Sequence, residues 1–185
     1  MLIVKKFFKL LGLHAICSVG TMLFLMMFPG IIDFALGEFL FSLLALMVFF
    51  DLFYTAAWEM SNKEVKHIKI YNNHLTVGQQ PRKMRYTNGI ILAASYGFFG
   101  LVLWLLTYIF GGDGSLWVFA FRFWFCEYIV AFTHSVRHIW HVYLVVALSP
   151  AVFILLGYFC GAKNITFMDN LINKIVYKSK KDTKK

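Results

Sequence analysis

Four continuous apolar runs, residues 10–28, 39–58, 90–110 and 142–161, alternate along this chain with polar and basic stretches. Each is close to the ~20 residues that carry a helix across ~30 Å of hydrocarbon. The runs are unbroken rather than alternating, which is the pattern of helices and not of barrel strands. Residues 115–141 break the series. Trp117, Phe119, Phe121, Phe123, Phe125 and Tyr128 make the segment as aromatic as any span, yet Arg122, Glu127, His134, Arg137, His138 and His141 are set among them. Such a helix suits a position at, or dipping in from, the membrane surface. The predicted fold is therefore an all-α integral membrane protein. It has four transmembrane helices plus an outer interfacial or re-entrant aromatic helix, in a single membrane domain over residues 1–185.

Composition agrees with that class. Sixty per cent of the 185 residues are hydrophobic and 21 are Phe, more apolar surface than a soluble domain of this size can bury. The net charge of +9 is unevenly placed. Lys5, Lys6 and Lys9 precede the first run, Lys63 to Arg85 fill the connection 61–88, and lysines crowd the tail 162–185. The other two connections carry Asp33, Glu38 and Asp113. This asymmetry predicts that both termini and the 61–88 loop lie in the cytoplasm. The basic residues are then read as topology signals that also attract anionic lipid headgroups, and not as a nucleic-acid surface. A fifth crossing at 115–141 would put the lysine-rich tail outside, against the same rule. The first run is read as an uncleaved span, because Met26-Met27-Phe28-Pro29 lacks a small-residue cleavage site.

The connections carry weaker signals. Pro29-Gly30 should end the first helix. The second helix is expected to run past Trp58 toward Lys66, and residues 67–77, alternating around Asn72-Asn73-His74, read as a small hairpin. Gly89, Gly97 and Gly100 in the third run, and Gly157 and Gly161 in the fourth, allow close helix contact. Ile165, Phe167, Leu171, Ile172 and Ile175 would form the apolar side of a short surface helix in the tail. The three cysteines, Cys17, Cys126 and Cys160, sit at separate depths, so no structural disulfide is expected.

Two polar groupings are candidates for chemistry. His14 on the first span and Asp51 on the second should lie at one depth, roughly 7–10 Å inside the cytoplasmic boundary. An intramembrane carboxylate needs pairing, so the predicted bridge is Asp51 to His14, with Ser95 or Tyr96 adjoining. It serves either as a packing bridge or as a proton or cation relay. The second grouping is Glu127, His134, His138 and His141. On one continuous helix these fall within about 40° of Glu127. His134 and His138 have the i, i+4 spacing that can chelate a transition metal such as zinc, copper or iron, with His141 or Glu127 as a further ligand. The competing reading is a polar helix face turned toward water and headgroups, and Arg137 nearby weakens a cation site.

The stretch from Trp58 to Gly89, with Asn62-Lys63 after the tryptophan, and the end of the fourth run, Leu156-Gly157-Tyr158-Phe159-Cys160-Gly161-Ala162-Lys163-Asn164-Ile165, resemble small multi-pass membrane proteins of low-GC Gram-positive bacteria. That resemblance implies a bacterial plasma membrane and no particular activity. No Gly-x-Ser-x-Gly elbow, phosphate-binding glycine loop or HExxH occurs. The leading expectation is thus a non-enzymatic accessory or partner-binding subunit, with a membrane protein or a second copy as partner. The alternative is a small proton- or cation-coupled transporter or pore using Asp51, and the third reading is a metal-dependent membrane enzyme.

Overall fold

In the computed structural model, which describes residues 2–28, 35–75, 79–111, 115–126, 128 and 140–165, every regular element is a helix. They are α1 (Leu2–Met27), α2 (Ala35–Asn73), α3 (Thr87–Phe110), α4 (Leu116–Trp124) and α5 (Trp140–Ala162). All except α4 are long and apolar enough to cross a membrane. The fold is that of a multi-pass membrane protein.

α5 is the central staff, parallel to α2 on one side and antiparallel to α3 on the other. Glycines set both contacts. A Cβ at Gly157 would lie 2.3 Å from the Tyr54 carbonyl oxygen, and one at Gly161 would lie 2.4 Å from that of Trp58. On the α3 side, a Cβ at Gly100 would lie 2.3 Å from the Ala147 carbonyl oxygen. Backbones this close need the small-residue spacing seen in the sequence, since lipid offers no hydrophobic drive to press helices together. Pro150 lies inside α5 and cannot donate to the Val146 carbonyl four residues earlier. Ser149 Oγ donates to that carbonyl at 2.8 Å, so the freed acceptor is satisfied at a depth where water is scarce.

The far end of α5 closes on α2. Asn164 adopts φ 52°, the left-handed conformation that ends a helix, while Ile165 N donates to the Cys160 carbonyl at 2.9 Å. Asn62 then donates to Asn164 Oδ1 at 2.8 Å, and Trp58 Nε1 to the Ile165 carbonyl at 3.0 Å. The end of α5 and the middle of α2 thus meet one another.

α2 corrects one expectation. It stays helical through Asn73, so residues 67–73 form no hairpin, and no strand occurs among the described residues. A two-stranded hairpin with no sheet to join is marginal, whereas a helix already nucleated in the membrane extends one hydrogen bond per residue. The returning segment docks on this extension: Asn72 donates to the Arg82 carbonyl and accepts from Arg82 N, both at 2.9 Å.

α4 is re-entrant. It starts beside the end of α3, where Thr107 Oγ donates to the Trp117 carbonyl at 3.2 Å. Its other end reaches the middle of α1: Ser18 Oγ donates to the Trp124 carbonyl at 2.8 Å, and Cys126 Sγ meets the Ser18 carbonyl at 3.1 Å. Ser18 lies nine residues from Met27, about 13 Å down the helix. The Ser18 hydroxyl thereby caps one of the carbonyls that the end of α4 leaves free inside the bundle. Val118, Phe121 and Phe125 pack with Tyr143, Val146 and Ala147 of α5 to hold the helix there. Trp104 Nε1 donates to the Trp140 carbonyl at 3.1 Å and returns the chain to the level at which α4 began.

Candidate functional site

His14 has no exposed surface. Its ring is enclosed by Phe49 and Phe53 of α2, at 4.8 and 5.5 Å between centroids, and by Trp124 and Phe125 from the end of α4, at 4.8 and 5.4 Å. Its Nδ1 is hydrogen-bonded to Tyr96 Oη of α3, itself buried. The expected contact to Tyr96 is present. The polar imidazole is placed where four helices converge, and it ties α1 to α3 while the rings around it fill the core.

Asp51 is elsewhere. Its side chain is exposed on the outer side of α2, and no hydrogen bond or ion pair joins it to another described residue. The bridge from Asp51 to His14 is not formed. Phe49 and Phe53 are fully buried, and each lies two residues from Asp51, about 200° of helical rotation away. Once the two rings take the inward face, the carboxylate must point outward. It lies seven residues before Trp58, some 10 Å within the apolar stretch. Around it Leu40, Leu44, Met47 and Thr55 are exposed in a 4-3-4-4 spacing, a single seam along the helix.

The basic end of the bundle holds a charged cluster that sequence reasoning missed. Glu64, six residues beyond Trp58 and outside the apolar stretch 39–58, makes an ion pair with Lys6 of α1 and accepts a hydrogen bond from Tyr158 Oη of α5. Asn88 at the start of α3 donates to the same carboxylate at 3.5 Å. Lys6 also lies over the Tyr158 ring, 5.7 Å from its centroid. Burial alone would push the Glu64 carboxyl up. The hydrogen bonds from Lys6 and Tyr158, with the Lys6 charge, outweigh it and hold the group below the ordinary carboxylate range. Four helices are thereby joined at one acid. The only advance signal was Glu64 itself, a lone acid within a basic connection.

Of the proposed metal stripe, Glu127, His134 and His138 lie outside the described residues. His141 is in the first turn of α5, exposed, with Trp140 edge-on to its ring at 5.9 Å. Among the described residues no three His, Cys, Asp or Glu side chains are grouped to hold a metal ion. The expected tail helix lies outside the described residues except for Ile165. Comparison with protein-family models, with curated proteins and with solved structures finds no match to this chain.

Proposed function

We propose that this protein is a partner-binding subunit of a membrane complex, and that it docks through the outer face of α2. The supporting observation is the position of Asp51: a carboxylate on an outward face, deep in an apolar stretch. An Asp near the middle of a lipid-facing helix is unfavourable by about 2.5–3.5 kcal/mol on insertion scales unless it is paired. The 4-3-4-4 seam of Leu40, Leu44, Met47, Asp51 and Thr55 has the spacing by which one helix lies along another. A basic or hydrogen-bond-donating side chain on a partner's transmembrane helix would neutralise the carboxylate. A second copy related by a two-fold axis would instead set two carboxylates against each other, so charge complementarity favours a different protein. The charge asymmetry supports an orientation with the basic end in the cytoplasm.

A carrier using this carboxylate would hold it between two protomers, since Asp51 is exposed on the outer side of α2. Gentle detergent extraction of the native protein should recover a membrane partner by affinity purification. Asp51→Leu should abolish recovery, while Thr87→Ala, at an exposed site on α3, should leave it intact. Recovery that ignores Asp51→Leu would sink the proposal. Proton- or cation-dependent flux in liposomes, lost in Asp51→Asn, would put the transporter in its place.

A further inference from the structure

The segment 79–86 comes back along the cytosol-facing or basic extension of α2 and leaves an open recess between them, of about 920 Å³. Its lining includes His67 of α2, Arg82, Lys83 and Arg85 of the returning segment, and Glu64 and Asn88 at its floor. We infer that this recess is a binding site for an anionic phosphate group, presented by a lipid headgroup or free in solution.

Three features make it more than a basic loop. The first is preorganisation. Asn72 clamps the Arg82 backbone through two hydrogen bonds of 2.9 Å, and the Arg82 guanidinium carbon lies over the Tyr71 ring, 4.0 Å from its centroid. A guanidinium carries five N–H donors, and those not engaged by the ring can meet a phosphate's oxygens. A cation already held in place loses less freedom when it binds. The second is charge. Arg82, Lys83 and Arg85 face one acid in the lining, Glu64, and that acid is already matched by Lys6 and Tyr158. The field inside the recess is therefore positive. The third is depth. Glu64 and His67 lie about 9 and 13 Å past Trp58 along α2. Headgroups occupy roughly the first 5–7 Å beyond the hydrocarbon, so the recess opens just outside that layer, on its aqueous side. Tyr86 stacks on Phe159 at 5.5 Å and anchors the strap at that level.

The test uses the full-length protein purified in a neutral detergent, with thermal unfolding followed at constant ionic strength. The probes are short-chain phosphatidylglycerol, short-chain phosphatidylcholine and inorganic phosphate. A ligand that binds the folded state raises the midpoint saturably. Phosphatidylglycerol should do so, and in Lys83→Gln/Arg85→Gln its half-saturating concentration should rise at least about tenfold, as loss of charge-assisted hydrogen bonds requires. Lys5→Gln/Lys9→Gln removes the same charge from exposed sites at the same end of the bundle, and should change it less than about twofold. If inorganic phosphate reproduces the effect with the same variant dependence, the ligand is a soluble phosphate. If only the lipid does, it is a headgroup. Equal losses in the two double variants, an equal response to phosphatidylcholine, or no saturable response to either anion would overturn the site. Should the first double variant not fold, Lys83→Gln alone, at an exposed side chain, serves the same comparison.

Discussion

His14 and Asp51 sit at nearly the same depth, both at the level of Phe49 and Phe53, yet the chain treats them in opposite ways. His14 is sealed among Phe49, Phe53, Trp124 and Phe125 and is hydrogen-bonded to Tyr96. Asp51 is on the far side of α2, among exposed apolar side chains. The difference shows that polar residues inside a membrane need not share one role because they share one level. One is a fastening within the bundle. The other is a demand that the bundle leaves for another molecule.

The largest test of that contrast between inside and outside uses glycines, whose replacement reports how close the neighbouring backbone lies. Gly157→Leu or Gly161→Leu would drive a side chain into the carbonyls of Tyr54 or Trp58, and either should prevent α2 and α5 from docking. Overpacking of a rigid contact is unfavourable by at least about 3 kcal/mol where backbone must move, so a monodisperse folded protein should not be recovered. Gly12→Leu and Gly20→Leu on α1, where a Cβ meets nothing within 4 Å, should elute and unfold like the parent. Size-exclusion chromatography in detergent decides it, and equal tolerance at all four positions would refute the packing.

A smaller effect bears on the pair itself. His14→Ala removes a fully buried ring and strands the Tyr96 hydroxyl, which should lower stability by about 2–4 kcal/mol through the cavity and the lost hydrogen bond. Asp51→Leu should not lower the stability of the isolated chain, because its exposed side chain makes no hydrogen bond or ion pair with another described residue. Unfolding by denaturant in micelles compares the two directly. Similar losses would mean that Asp51 also acts as an internal fastening.

How much of this was legible beforehand follows from the kinds of signal involved. The four spans were plain, since length and continuous hydropathy depend on no tertiary contact. The short helix α4 was legible as an aromatic segment set apart from the four spans, because its charges and the lysine-rich tail argue against a fifth crossing. Ser18 and Ser149 read only as polar residues in spans, and what they satisfy, the carbonyls of Trp124 and Val146, depends on where α4 ends and on Pro150. Asp51 was assigned inward because spacing alone gives its face relative to its neighbours, not which face is buried. The adjoining pair of i, i+4 phenylalanines, Phe49 and Phe53, held that information. The apparent hairpin failed for a related reason: alternation over 67–77 is too short to outweigh a helix already running. Glu64 was invisible because its partners are 58 and 94 residues away in sequence.

Glu64 completes the comparison, as the carboxylate that does have partners, and it yields the subtlest test. Burial raises its proton affinity, but the Lys6 and Tyr158 contacts lower it further, so its folded value is depressed relative to the unfolded chain. A depressed carboxylate stabilises the fold above its unfolded pKa, and that contribution fades as pH falls through the folded value. The parent protein should therefore lose thermal stability on acidification from the ordinary carboxylate range downward. Glu64→Gln keeps much of the shape and the hydrogen-bonding capacity but cannot titrate, so it should start less stable near neutrality and change less over the same window. Lys6→Met, which removes the chief opposing charge, should shrink the acid loss, because the folded value then rises toward that of the unfolded chain. An acid profile that Glu64→Gln leaves as it is in the parent would mean that the acid loss arises elsewhere, and would remove Glu64 from the comparison.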